Sequence, residues 1–189
     1  ELKKDKRFHP IPQTLLLENL APKISPKQIL DARAQLKLKN DFVVGSFARY
    51  EMFSEDYLSF VNTFLHKTKN SSVILAGPNN QKSAKQMLAC HLSTGRVKIL
   101  GESNTAILGH LCHAFLDTFP NVTGYAALEI MAKGKPVFTL NCKNLENHRK
   151  NRLPELVFDC EKELLDGLLL AQTENSYYNK ISSDSKDLV

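Results

Sequence analysis

Short apolar runs alternate along the chain with longer segments that have helical spacing. Runs that are apolar at successive positions are typical of strands buried on both faces of a parallel sheet. Because a helical segment follows nearly every run, the pattern predicts repeated strand–helix units. About six strands are expected, at 42–44, 71–78, 96–100, 114–118, 136–140 and 155–158.

Capping residues mark where several helices begin. Segment 25–28 (Ser-Pro-Lys-Gln) has the composition of a capping box and predicts a helix through about Leu38. Ser54 and the two acids after it predict a helix over 55–67. Further helices are expected at 80–92, 105–114, 125–133 and 160–172. The alternation predicts an α/β fold, with a doubly wound, mainly parallel six-stranded Rossmann-like sheet and helices on both faces.

Length and composition fit one or two compact domains. The chain has 189 residues, of which 42% are hydrophobic. It contains no apolar stretch long enough to span a membrane and no signal peptide at its start, so a cytoplasmic protein is expected. We expect a linker or interdomain segment over 1–22, a Rossmann-like domain over 23–175 and a partly helical tail over 176–189.

The charge fits binding of nucleic acid or of small molecules that carry phosphate. The net charge is +5 and the pI about 9.0, but the basic residues are scattered, which argues against a nucleic-acid patch. The cysteines show no CxxC pair and are expected to be reduced. They are Cys90, Cys112, Cys142 and Cys160.

In an open parallel sheet, ligands bind at the carboxyl ends of the strands, so the loops there hold the candidate residues. Arg49, after the first strand, has the geometry to clamp a phosphate, although a surface ion pair is an alternative. In loop 100–105, the backbone after Gly101 is placed to contact a base or ring. The alternative for that loop is simple helix capping by Ser103 or Asn104.

The stretch "LDTFPNVTGYAALEIMAKGKPVFTL" (116–140) contains the most informative candidate binding residues. The run Thr123-Gly124-Tyr125 lies where a helix begins, so its free N–H groups can receive a diphosphate. Glu129 interrupts the apolar pattern of that helix and is placed to accept both hydroxyls of a ribose, unless it faces solvent. Weaker candidates follow the next strand: Asn141, Asn144, His148 and Arg149.

Other chemistries find little support in the sequence. His110, Cys112 and His113, with a further Cys-His pair at 90–91, have the residue types of a metal site, but core packing is favoured and no metal is expected. The nucleophile elbow G-x-S-x-G, the dinucleotide fingerprint G-x-G-x-x-G and the Walker phosphate loop are all missing.

The segment "LDTFP…TGYAALEIMAKGKPVFTL" resembles the nucleotide-sugar-binding segment of GT-B glycosyltransferases, closest to the O-GlcNAc transferases and the related bacterial protein N-glycosyltransferases. The similarity covers roughly 23–175. It implies a ribose ligand (Glu129), a diphosphate turn (Thr123, Gly124, Tyr125), a loop bordering uracil or another base (Glu102, Ser103, Asn104) and a cation near the phosphates (Arg49).

The resemblance implies the UDP-sugar-binding half of an enzyme that glycosylates a protein or glycan. It also implies that no metal is used and that the chain is inactive without an N-terminal domain. One alternative is a non-catalytic interaction module that has lost donor binding, because Gly124-Tyr125-Ala126 stands where the O-GlcNAc transferases carry His-Thr-Thr. Another is a flavodoxin-like domain that binds a different phosphorylated ligand.

Overall fold

The computed structural model describes Leu20 and residues 22–39, 41–78 and 95–189, and these contain a six-stranded sheet. All strand pairs are parallel, and the order β3-β2-β1-β4-β5-β6 is that of a doubly wound fold. The predicted fold class is therefore confirmed. The strands are β1 Phe42–Phe47, β2 Ser71–Ala76, β3 Val97–Leu100, β4 Ala114–Leu116, β5 Val137–Leu140 and β6 Val157–Phe158.

Helices cover both faces of this sheet. In the described residues they are α1 Pro26–Gln35, α2 Glu55–Lys67, α3 Thr105–Leu111, α4 Tyr125–Met131, α5 Glu161–Thr173 and α6 Asn175–Asp187. One buried cluster packs α2, α5 and α6 against one face, and a second packs α1, α3 and α4 against the other. Of the helices in the described ranges, none has the length and hydropathy that a membrane crossing needs.

The predicted helix starts agree well with the structure. The capping box at Ser25 is formed, and the Ser54 hydroxyl accepts a hydrogen bond from the amide of Tyr57 at 3.1 Å. The predicted helix over 80–92 and nearly all of the predicted linker lie outside the described residues. Most of segment 176–189 belongs to α6, in which Ile181 is buried.

The end of β1 differs from the prediction. We expected a loop to begin at Gly45, but the strand continues to Phe47, and both Gly45 and Ser46 are buried within it. Gly45 allows close packing against Cys112, since a Cβ atom at this position would lie 2.5 Å from the Cys112 sulfur. Arg49 remains just past the strand, as predicted.

The loops after β1, β2 and β3 pack against each other at the carboxyl edge of the sheet. The Tyr50 hydroxyl donates to the carbonyl of Leu100 at 2.6 Å, and the amide of Gly77 donates to the carbonyl of Gly101 at 3.3 Å. A Cβ atom at Gly77 would lie only 1.8 Å from the carbonyl oxygen of Ala48. Two backbones therefore meet at this position without room for a side chain.

We expect Gly77→Ala to destabilise the fold by at least about 2 kcal/mol, because backbone atoms cannot rotate away from the added methyl group. The measurement is urea unfolding followed by circular dichroism. Gly101→Ala is the matched control, since nothing lies within 4 Å of a Cβ atom there. Equal stability of the two variants would contradict the prediction.

At the opposite, amino edge, His113 joins β4 to β1. Its Nδ1 atom accepts a hydrogen bond from the amide of Val43 at 2.9 Å, and its own amide donates to the Val43 carbonyl at 2.7 Å. Burial lowers the pKa of His113 to about 4, and Lys135 and Arg33 add to the effect. The imidazole is therefore neutral in the fold, with its proton on Nε2.

This neutral imidazole predicts an acid-dependent loss of stability. An unfolded histidine titrates near 6.5, so between pH 6.5 and pH 4 the unfolded chain binds a proton that the folded chain does not. The contribution of His113 to the free energy of unfolding should fall through this window and level off below it. His113→Asn, which keeps an acceptor near Nδ1, should flatten the profile measured by urea unfolding. His66→Asn, at an exposed position of α2, should leave the profile unchanged.

Candidate functional site

A groove opens at the carboxyl edge where the sheet changes winding direction, between β1 and β4. It has a volume of about 590 Å³ and is lined by Arg49, Glu51 and Met52 after β1, and by Asn121 and Val122 after β4. Crevices at this point are the usual ligand sites of doubly wound sheets. Arg49 is exposed and forms no ion pair with any residue that the structure describes.

A buried carboxylate fixes the loop after β4. Asp117 is fully buried, and its Oδ1 atom accepts from the amides of Thr118 and Thr123 at 3.1 and 2.7 Å. Its Oδ2 atom accepts from Nη2 and Nε of Arg152 at 2.7 and 3.1 Å. Arg152 is also fully enclosed and donates to the carbonyl of Thr123. Loop 117–123 is thus folded around a single buried ion pair.

The three residues of the predicted diphosphate turn have different surroundings. Thr123 donates both its amide and its hydroxyl to Asp117, the hydroxyl at 2.8 Å, so it belongs to the internal bonding of the loop. Gly124 is the N-cap of α4, and a Cβ atom there would lie 3.1 Å from the His148 ring. Tyr125 is 45% exposed. The accessible part of the turn is therefore formed by Gly124 and Tyr125, beside an imidazole.

Glu129 is buried, so the alternative that it faces solvent is wrong. It is 7% exposed, and each of its carboxylate oxygens lies 3.1 Å from the Thr105 hydroxyl. The Lys133 ammonium lies 3.2 Å from Oε1 and also donates to the carbonyl of Leu20 at 2.8 Å. Burial lowers the pKa of Lys133, while the charge of Glu129 raises it.

Loop 101–104 is close to Glu129 because it leads directly into Thr105. Asn104 caps α3, with its side-chain oxygen accepting from the amides of Ala106 and Ile107 at 3.0 and 3.3 Å. The Ser103 hydroxyl donates to the carbonyl of Gly101 at 3.0 Å. Glu102 is exposed. The predicted base loop therefore has the helix-capping role that we considered, and it also borders the predicted ribose ligand.

Two of the four weaker candidates, Asn141 and Arg149, take part in a chain of hydrogen bonds after β5. Arg149 donates to the side-chain oxygen of Asn141 at 2.8 Å, and the side-chain Nδ2 atom of Asn141 donates to Asp159 at 2.7 Å. His148 lies against Gly124, whereas the side chain of Asn144 is outside the described part of the chain. These two bonds link both ends of loop 141–149 to each other and to the segment after β6.

Of the histidines and the cysteine at 110–113, Cys112 and His113 have hydrogen-bond partners within the protein. Cys112 is a buried thiol whose Sγ atom lies 3.2 Å from the Leu108 carbonyl, and burial raises its pKa to about 12. The Nδ1 atom of His113 accepts a hydrogen bond from the amide of Val43. The described ranges contain no group of three or more His, Cys, Asp or Glu side chains placed to hold a metal ion. Cys90 and His91 lie outside those ranges.

No protein-family model and no curated protein matches the sequence. Solved structures do match, among them HepE from Anabaena in complex with UDP and glucose, with a TM-score of 0.74 and 21% identity over 90% of this chain and 49% of HepE. An O-GlcNAc transferase from Thermobaculum terrenum has a TM-score of 0.68 and 18% identity over 94% of this chain and 34% of that protein.

The C-terminal domain of LpcC, a group 1 family glycosyltransferase from Francisella tularensis, has a TM-score of 0.67 and 13% identity, and the match covers 93% of this chain and 96% of that domain. The chain has the fold of a GT-B C-terminal domain. This likeness confirms the predicted resemblance at the level of the fold. The chain spans about half the length of HepE.

Four residues of this candidate site were not singled out from the sequence: Thr105, Asp117, Lys133 and Arg152. Lys133 could have been found, since it lies four residues after Glu129, on the same face of the helix predicted over 125–133. Asp117 follows an apolar strand directly, which is a weaker signal. Thr105 and Arg152 have no local signal, because their partners lie 24 and 35 residues away in sequence.

Breaking the buried pair should be costly. We expect Arg152→Met to lower the free energy of unfolding by about 3–5 kcal/mol, because the buried carboxyl group of Asp117 would be left without its partner. Urea unfolding gives the value. Lys180→Met is the matched control: it breaks an exposed pair with Glu155 at 3.7 Å, and should change stability by less than about 1 kcal/mol. A similar decrease in the free energy of unfolding in both variants would contradict the prediction that the buried Asp117–Arg152 pair contributes more to stability than an exposed pair.

Proposed function

We propose that the chain is the donor-binding domain of a glycosyltransferase and that it binds a nucleoside diphosphate sugar, with UDP as the nucleotide. The observation that carries this proposal is the groove between β1 and β4, in a fold shared with HepE, whose structures contain UDP or UDP-glucose. Ligands of doubly wound sheets bind at this switch point.

The phosphates are assigned to the groove and the turn beside it. Arg49 is an exposed guanidinium without an ion pair among the described residues, so its donors are available for a phosphate. Gly124 lets a diphosphate approach the backbone closely, and Tyr125 follows it at the surface. Thr123 contributes by holding this turn through Asp117.

The nucleoside is assigned to the neighbouring surface formed by α3 and α4. Glu129 receives the ribose hydroxyls, and the loop Glu102-Ser103-Asn104 borders the base. Lys133 supports this role because its buried ammonium lies 3.2 Å from Oε1 of Glu129 and holds the carboxylate in place. The observed contact between Glu129 and Thr105, directly after the base loop, supports placing base and ribose next to each other.

The reaction proposed is transfer of the sugar to a protein or glycan acceptor, with the nucleoside diphosphate as leaving group. Its developing charge is met by Arg49 and the N–H groups of the turn, without a metal. The chain covers 49% of HepE, so we assign acceptor binding and the remaining catalytic groups to a further, N-terminal domain. The chain alone is expected to bind donor and to transfer nothing.

Calorimetry with UDP tests the proposal. Glu129→Ala should weaken UDP binding by about 1–3 kcal/mol, because a charged acceptor is removed from the ribose. Arg49→Ala should weaken UDP binding more than uridine binding. Glu155→Ala and Lys180→Ala are controls, since they remove an exposed acid and an exposed base that pair with each other.

The same experiment distinguishes the alternative function. A folded protein that binds no UDP or UDP-sugar at millimolar concentration would contradict the proposal. That result would favour a non-catalytic interaction module that keeps the fold. Circular dichroism of the same sample establishes that the protein is folded.

A further inference from the structure

The hydroxyl of Thr105 occupies a special position relative to Glu129. It lies 3.1 Å from Oε1 and 3.1 Å from Oε2, so it is equidistant from the two oxygens. A hydrogen-bonded donor that is equidistant from both oxygens lies on the open edge of the carboxylate, in front of the carboxyl carbon. This is the edge at which two neighbouring hydroxyls of a ligand would donate, one to each oxygen.

The other partner of Glu129 leaves that edge open. Lys133 contacts Oε1 alone, at 3.2 Å, and its side chain is completely buried. Its ammonium is also held by the carbonyls of Leu20 and Glu129, at 2.8 and 3.0 Å. Lys133 is therefore a fixed partner with several bonds, whereas Thr105 contributes one shared hydroxyl.

We propose that Thr105 sets the affinity of this site for ribose, because its hydroxyl holds the place of a vicinal diol and leaves Glu129 when a nucleotide binds. The inference rests on the proposed function, since it assigns the ligand of Glu129 to the 2′- and 3′-hydroxyls of a ribonucleotide. Thr105 is thus an affinity-determining residue that competes with the ligand.

The exchange is chemically reasonable in both directions. A single hydroxyl shared between two oxygens forms a three-centre bond, whereas a diol offers one hydrogen to each oxygen. Rotation about χ1 of Thr105 releases the carboxylate without moving the backbone of α3, and threonine occupies two χ1 rotamers in helices. In the absence of ligand, the hydroxyl keeps a nearly buried carboxylate satisfied, which lowers the free energy of the empty site.

Removing the competing hydroxyl should therefore strengthen binding. We expect Thr105→Val and Thr105→Ala to bind UDP about three- to tenfold more tightly than the unchanged protein, since one hydrogen bond of the empty site no longer has to be broken. Binding of 2′,3′-dideoxy-UDP should not change, because that ligand has no hydroxyls to compete with Thr105. Calorimetry with both ligands gives the two values.

Two controls separate competition from other effects. Thr105→Ser keeps the hydroxyl and should bind UDP as the unchanged protein does. Thr63→Val makes the same chemical change at an exposed position of α2, where the hydroxyl donates to the carbonyl of Ser59, and should have no effect. Urea unfolding establishes that each variant is folded, and the alanine variant replaces the valine variant if the latter does not fold.

The outcomes keep this inference distinct from the proposed function. If the unchanged protein binds UDP and both hydroxyl-free variants bind it equally or more weakly, the competition is disproved and the donor assignment stands. If only the hydroxyl-free variants bind, both are supported. If none of the folded proteins binds UDP, both fail. A gain that appears equally with 2′,3′-dideoxy-UDP would also overturn the inference, because it could not come from the diol.

Discussion

The geometry of the site depends on the buried ion pair between Asp117 and Arg152. Burying two charges is unfavourable unless their remaining hydrogen-bonding capacity is used. Here the carboxylate accepts from Arg152 and from two backbone amides of its own loop, and Arg152 reaches the carbonyl of Thr123 as well. The pair therefore fixes both ends of loop 117–123. Because α4 begins directly after this loop, the pair also determines where Gly124 lies and where Glu129 points.

The two buried acids of this region differ in how firmly they are bonded. Asp117 is held by main-chain amides and an enclosed guanidinium, and none of these can leave without unfolding the loop. Among the residues that the structure describes, Glu129 has one buried ammonium and one side-chain hydroxyl as partners. A hydroxyl on a rotatable side chain is the only one of these partners that a ligand can replace at small cost. Asp117 is thus suited to structure, and Glu129 to binding.

Much of the fold could be predicted because its signals are local. The Ser54 cap and the helix after it follow from a few adjacent residues, and the run of buried strands predicted a parallel sheet. The error at Gly45 has a different origin. A glycine in an apolar run has the appearance of a turn, whereas its actual role is to admit the sulfur of Cys112, which comes from the far end of α3.

The candidate site was only partly predictable for the same reason. Glu129 stood out as an acid in an apolar helix pattern, and its burial agrees with that signal. The residues that complete its surroundings did not stand out, because a threonine at a helix start has an ordinary local role. Its contact with Glu129 spans 24 residues and exists only once α3 and α4 pack side by side. Sequence patterns identify the acid, and packing decides what it touches.

The topology explains why the loop proposed to border the base and the residue proposed to bind the ribose lie next to each other. In the sheet, β3 is separated from β4 by β2 and β1, so the loops after β3 and β4 would not be neighbours if the sheet alone placed them. The connection between these strands crosses one face through α3, and α4 covers the same face. Thr105 at the start of α3 thereby reaches Glu129. This hydrogen bond joins α3 to α4. Under the proposed function, a nucleotide whose base contacts loop 101–104 and whose ribose contacts Glu129 would join the two helices in its place.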